Sequence, residues 1–327
     1  MSIWKFFTFL FAIIALLFEG FFGIIQLVSF VLQIILISFF IYFFIWIFRR
    51  KSIGVWYKKV LGYSIVVLAF FGFLNSLFLA FIEYQYYSPG VVSDITLSNS
   101  WQEIVFIQMS HIATPEFFQE KKATLASLAQ NGYIILVEWV KPGTDENQII
   151  FNQSVGFNFT PTLYSEVAQF IWLQSQDNKI LFEWISTGSL VNVDLSIDDI
   201  ISFMGTWSQV NSWIVFDIES EIRSLNDVIT PRERIFAGWI AWGLLNWSLK
   251  QSGDPDLLTN VHTHPNLFTT IINHRNDRII EYIQKNPNKK IAIVYWALHF
   301  NGVYESLQKI DSNWKTVNTR ISKPYNK

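Results

Sequence analysis

The first 83 positions are almost continuously apolar, and beyond them the chain breaks into short apolar runs separated by polar stretches. Between Phe6 and Phe48 the single ionised side chain is Glu19. That stretch is too long for one membrane crossing, which needs about 20 residues. Gly20 and Gly23 offer a turn within it, so the pattern predicts two helices over 3–20 and 25–48. A third span is predicted over 60–82, where "VLGYSIVVLAFFGFLNSLFLAFI" runs from Val60 to Ile82. The loop "RRKSIGVWYKK" between the second and third spans concentrates five basic residues, and short cationic loops stay on the cytoplasmic side. The N-terminus is therefore expected in the cytoplasm and everything after Ile82 outside it. A cleaved signal peptide is the competing reading of the first 20 residues, but more apolar sequence follows them and no small-residue cleavage pattern does. Glu19 lies near a predicted helix end, where its carboxylate reaches water, so anchoring rather than transport is the expected role of these spans.

After Ile82 the pattern changes period. "EIVFIQM" (103–109) is a continuous β-branched and aromatic run, the mark of a strand buried on both faces, as parallel strands are. Thr114 then offers an N-cap hydroxyl, Pro115 fits a first helical position, and Glu116 suits the positive helix end. Phe118, Leu125 and Ala129 follow at near-helical spacing, and Asn131-Gly132 supplies a left-handed stop. "YIILVE" resumes as a second buried strand. A strand, helix, strand unit predicts parallel strands joined by a right-handed crossover. Both strands then end on one edge of the sheet. His111, just after the first, and Glu138, ending the second, face one crevice, where open α/β sheets place ligands.

A second unit appears late in the chain. "LFTTIINHRNDRIIEYIQKN" predicts a helix over 267–285 with Ile271, Ile272, Ile279 and Ile283 near one stripe. "KKIAIVYWALHFNGVYESLQK" predicts a buried strand, then His299, then a short helix beginning near Val303. Once that strand joins the same sheet, two histidines and a glutamate converge, a ligand set suited to a divalent transition metal with a position left for water. In the middle, 161–175, 197–205 and 231–250 have helical character, and "VNVDLSIDDII" reads as a short segment capped by Ser196 entering a helix. "PRERIFAGWIAWGLLNWSLK" carries few basic residues, which favours a buried helix over one lying on a membrane surface. The tail "WKTVNTRISK" reads as a closing edge strand.

Charge adds to this division. Positions 1–83 hold six basic against two acidic side chains, which leaves 18 basic and 24 acidic residues for the rest of the 327-residue chain. The expected organisation is a membrane anchor, 1–83, in contact with the lipid bilayer, and an extracytoplasmic α/β domain, 84–327, with a largely parallel sheet. That domain is mildly acidic, which argues against nucleic acid as a partner. Cysteine is absent, which excludes disulfides and thiolate chemistry.

With these residues placed, the chain resembles the TraB/GumN/Tiki family over about 100–325. The resemblance is carried by His111 after a strand, Glu138 ending the next strand, the Arg275-Asn276 pair on a late helix, and "LHFNGVYESL" with His299 and Gly302. "VNVDLSIDDII", with Asp194, is similar to a segment between the family's two halves. One departure stands out: the family's histidines sit in Gly-x-x-His, whereas Gln108 and Trp296 stand at those glycine positions here. The resemblance implies a metal-dependent hydrolase, with protease activity attributed to some members and so a peptide or protein substrate. The metal (Zn, Mn or Co) would sit on His111, His299 and Glu138, while Glu138, Arg275 and Asn276 would carry the catalytic roles.

Each of these residues also has a structural reading. His111 can be a satisfied structural histidine, and Glu138 can be paired with Arg275, which can equally hold a substrate carboxylate. The alternative class is a non-catalytic binding or sensor domain on the same scaffold. His262 and His264 in "NVHTHPN" have metal-ligand spacing on a strand but sit among loop-forming residues, and His274 reads as a surface helix residue. Ser110 lacks the flanking glycines of a nucleophile elbow. The sequons at Asn152, Asn158 and Asn246 carry little weight in a chain rich in asparagine.

Overall fold

The computed structural model describes residues 77–156, 158, 160–205, 217–251 and 267–325, with side chains from 271 onward in the last segment. The predicted spans 3–20 and 25–48, most of 60–82, Glu19, His262 and His264 lie outside the described residues. Among the described residues no helix is long and apolar enough to cross a membrane. The chain divides into two compact units, 1–87 with 229–243 and 88–228 with 244–327. In the first, residues 77–87 are helical and Tyr86 stacks on Trp242 with centroids 6.1 Å apart. Residues 229–243, expected to belong with the sheet, cluster with this unit instead.

The second unit is an α/β domain with a mostly parallel six-stranded sheet. Its elements begin β1 (Val92–Ser98), β2 (Glu103–Met109), β3 (Ile112–Ala113), α1 (Pro115–Gln130) and β4 (Ile134–Val137). Next come α2 (Asp145–Val155), α3 (Leu163–Phe170), β5 (Gln174–Ser175), α4 (Asn178–Phe182), β6 (Leu190–Asn192), α5 (Ile197–Met204) and α6 (Ile218–Val228). α7 (Pro231–Gln251) belongs to this unit only from 244 onward, and the chain closes with α8 (Leu267–Lys285), β7 (Ile291–Trp296), α9 (His299–Ile310) and β8 (Lys315–Ser322). The strand order is β6-β4-β7-β2-β1-β8. The four strands from β6 to β2 are mutually parallel, while β1 runs antiparallel to β2 and to β8.

Local chemistry explains these elements. The Thr114 hydroxyl caps α1 by accepting from the Phe117 N–H, Pro115 opens the helix, and Gly132 takes the left-handed backbone (φ 81°) that stops it. At α5, Ser196 and Asp199 form a reciprocal capping box. The central strands β2, β4 and β7 are buried on both sides, which is why they are continuously apolar. On one side Ile104 and Phe106 of β2, Ile293 and Tyr295 of β7, and Ile279 and Ile283 of α8 form one core cluster with Val303 and Leu307 of α9. On the other side α1 is tied over β1 by the fully buried Lys121, whose Nζ donates to Asp94 Oδ1 at 2.5 Å and to Ser322 Oγ at 3.2 Å.

β2 and β4 are parallel as expected, with β7 lying between them, so the strand-helix-strand unit skips one position. Two expectations need correction. α9 begins at His299 rather than near Val303, so the histidine sits in a helix's first turn instead of on a loop. A two-stranded ribbon pairing β3 with β5, antiparallel, also interrupts the segment expected to be helical over 161–175.

Candidate functional site

The register of the parallel strands fixes what meets at their carboxyl edge. Met109 lies level with Trp296, and Val137 with Val294. Glu138 therefore emerges beside the end of β7, where its Oε2 accepts the Trp296 backbone N–H at 2.5 Å. Its Oε1 accepts from Arg275 Nη2 at 2.7 Å. Arg275 reaches this point from α8, whose core stripe of Ile279, Ile280 and Ile283 continues N-terminally as the buried polar pair Arg275 and Asn276. The same guanidinium grips Asp194, Nε to Oδ1 and Nη2 to Oδ2, both at 2.7 Å. Tyr295 supports it from below, with its ring centroid 5.7 Å from the guanidinium carbon.

Electrostatics set the charge states. Burial pushes the Glu138 carboxyl up, but Arg275, the two histidines and the Trp296 N–H outweigh it and hold the pKa down to about 2. Asp194, whose side chain is wholly buried, is raised by burial against the pull of the same guanidinium. Arg275, pulled down by burial and up more strongly by Glu138 and Asp194, stays charged. Two carboxylates thus share one guanidinium.

His299 faces this cluster, with Nε2 3.8 Å from Glu138 Oε1. Burial first, and then Arg275, lower its pKa to about 3, so its imidazole is neutral at neutral pH. Its Nδ1 lies 2.8 Å from Asn276 Oδ1. A carbonyl oxygen only accepts, so Nδ1 carries the proton and the Nε2 lone pair is turned toward Glu138. Gly302 makes this possible: a Cβ there would stand 2.3 Å from Asn276 Nδ2. Gly302→Ala is therefore expected to displace the Asn276 amide and destabilise the fold by about 1–3 kcal/mol. A thermal melt indistinguishable from the wild type would contradict this.

His111 follows β2 on a loop held by the ribbon, where its carbonyl accepts the Gln176 N–H at 2.8 Å. Its ring lies between Tyr164 of α3, stacked at 4.9 Å, and Trp296 at 6.0 Å. Burial lowers its pKa against the pull of Glu138. His111, Glu138, His299, Arg275 and Asn276 therefore meet at one sheet edge.

Other candidates lie elsewhere. His274 stacks on Phe203 at 3.9 Å and lies 3.7 Å from Asp277, on the half-exposed face of α8. The Ser110 hydroxyl is committed to the Ile112 carbonyl and the Tyr325 hydroxyl. Asn246 is buried, its Oδ1 accepting the Gly90 N–H, which excludes it as a glycan acceptor in this fold. Sequence reasoning gave no role to Asp194 or Tyr164. Asp194 carries the same signal as Glu138, a carboxylate closing an apolar segment. Tyr164 has no sequence signal at all.

Among the described residues no three His, Asp or Glu side chains are already arranged as metal ligands. The donor chemistry nevertheless suits a divalent ion, because His111 and His299 are neutral and Glu138 is ionised. Comparison with protein-family models, curated proteins and solved structures returns no match.

Proposed function

We propose that the chain is a membrane-anchored hydrolase of the TraB/GumN/Tiki type, acting outside the cytoplasm on a peptide or related acyl substrate and using a divalent metal. The observation that supports it best is the pairing of two neutral imidazoles with an ionised carboxylate in one buried cluster. Unaided general-base chemistry works best with a pKa near the operating pH. Glu138 at about 2 and His299 at about 3 are far from that, and are in the protonation states that metal ligation requires.

His111, His299 and Glu138 would hold the ion, and when bound it would supply a water activated at neutral pH. The chain's own residues do the positioning. Asn276 fixes the His299 tautomer, as outer-shell partners of ligating histidines do. Asp194 holds Arg275, and Arg275 with the Trp296 N–H sets the Glu138 carboxylate in place. The burial of Arg275 between two carboxylates favours this orienting role over direct capture of a substrate carboxylate.

A non-catalytic binding or sensor domain is the second reading. It is favoured by one observation: both Glu138 oxygens already have partners, so the network is closed as it stands. The two separate on the full-length protein in detergent, incubated with Zn, Mn or Co and freed of excess metal. Near-stoichiometric metal that disappears in a His111→Ala/His299→Ala variant, and peptide turnover that Glu138→Gln lowers about 10²-fold or more, is the expected result. No specific metal and no Glu138-dependent turnover would leave the binding domain.

A further inference from the structure

We propose that Tyr164 is a catalytic residue of this site, its phenol donating a hydrogen bond to the substrate's acyl oxygen while its ring positions His111; the inference rests on the hydrolase reading above. Three observations place it there. The Tyr164 ring lies on the His111 imidazole at 4.9 Å with the planes 30° apart. Burial, and then the Glu138 carboxylate against the pull of Arg275, push the Tyr164 hydroxyl up to about 12, so the phenol keeps its proton for donation. The segment carrying it is fastened at both ends.

The fastening is specific. On the carboxyl side of α3, β5 pairs with β3, setting Ala113 opposite Gln174, and the Gln176 N–H is bonded to the His111 carbonyl at 2.8 Å. On the amino side, Glu219 of α6 accepts the Thr160 and Thr162 hydroxyls. Arg223 joins Glu219 at 2.9 Å to Glu166 at 3.7 Å. α3 is thereby held across the His111 loop, and its first turn presents Tyr164 to the histidine. Trp172, at the end of the same helix, takes a left-handed φ of 54°, which a bulky residue rarely adopts. That turn returns the chain from α3 into β5.

A phenol in this place suits an acyl substrate. When water's oxygen bonds to the carbonyl carbon, the C–O π pair moves onto the carbonyl oxygen, and a neutral donor nearby stabilises that charge. The pair then re-forms the carbonyl, the bond to the leaving group breaks, and the leaving group departs with a proton from the water. Tyr164 keeps its own proton throughout. Arg275 is less suited to this role, because Asp194 and Glu138 already engage its Nε and Nη2.

The test uses full-length protein in detergent, loaded with the metal that binds it, against p-nitrophenyl esters and fluorogenic casein. Tyr164→Phe keeps the stacked ring and removes only the hydroxyl, so kcat is expected to fall about 10²-fold with KM nearly unchanged and the thermal melt intact. Tyr164→Leu removes the ring as well, and is expected to lose more activity and to lower the metal occupancy, because His111 loses the ring that positions it. Glu138-dependent turnover that Tyr164→Phe leaves at the wild-type level overturns this assignment alone. Absence of any Glu138-dependent turnover in the wild type overturns the hydrolase reading and this assignment with it.

Discussion

Arg275→Met is expected to be the most damaging single substitution in the sheet domain. Methionine has about the volume and flexibility of the arginine stem, so little packing is lost, and the effect reports on the charge. Arg275 is buried with Asp194 and Glu138, and its removal strands two carboxylates where burial already opposes ionisation. Breaking one buried ion pair by deleting a partner typically costs about 3–5 kcal/mol, a large part of the roughly 5–15 kcal/mol that holds a domain together. Urea unfolding followed by tryptophan fluorescence measures it. A second variant guards against simple failure to fold: Arg275→Met combined with Glu138→Gln and Asp194→Asn removes the stranded charges. It is expected to recover much of the loss. A single variant as stable as the wild type would show that the guanidinium does not organise this edge.

The same network shows what the sequence made legible. A carboxylate that ends a wholly apolar strand must be paired, and that argument found Glu138 and its partner Arg275 before any geometry. The continuous apolar character of β2, β4 and β7 correctly implied parallel strands covered on both faces. It could not order them, because burial on both faces says nothing about which strand is the neighbour. That is why β7 was not expected between β2 and β4, although its position is what brings His299 to Glu138.

Other features fell below what periodicity can resolve. The β3–β5 ribbon has two residues per strand, too few for an alternating pattern, so its segment read as part of a longer helix. The start of α9 at His299 was hidden because its N-cap, Leu298, makes no side-chain cap. Tyr164 reaches His111 through that ribbon, so its role depends on tertiary contacts with no local trace. Gly302 was noticed through a motif, whereas its physical reason, room for the Asn276 amide, needed the packing.

Metal-free protein is expected to lose stability on acidification beginning well above the range of ordinary carboxylates. His299 has its folded pKa lowered to about 3, against 6.5 when exposed. A depressed folded value means that the unfolded chain binds the proton more tightly. The stabilisation is therefore fully present above about pH 6.5 and declines as pH falls toward 3. His111, lowered by burial, acts in the same direction. Glu138, held at about 2 against an ordinary 4.5, adds a second decline in a lower window, between those two values. Because one pKa unit corresponds to about 1.4 kcal/mol, the histidine contribution alone is on the order of a few kcal/mol. Thermal melts from pH 8 to pH 4 with EDTA present would show the melting temperature falling below pH 6.5 in the wild type. His299→Gln, which keeps hydrogen-bonding capacity without a titrating ring, is expected to flatten that part of the curve. A slope unchanged in the variant would mean that His299 is not buried neutral beside Arg275.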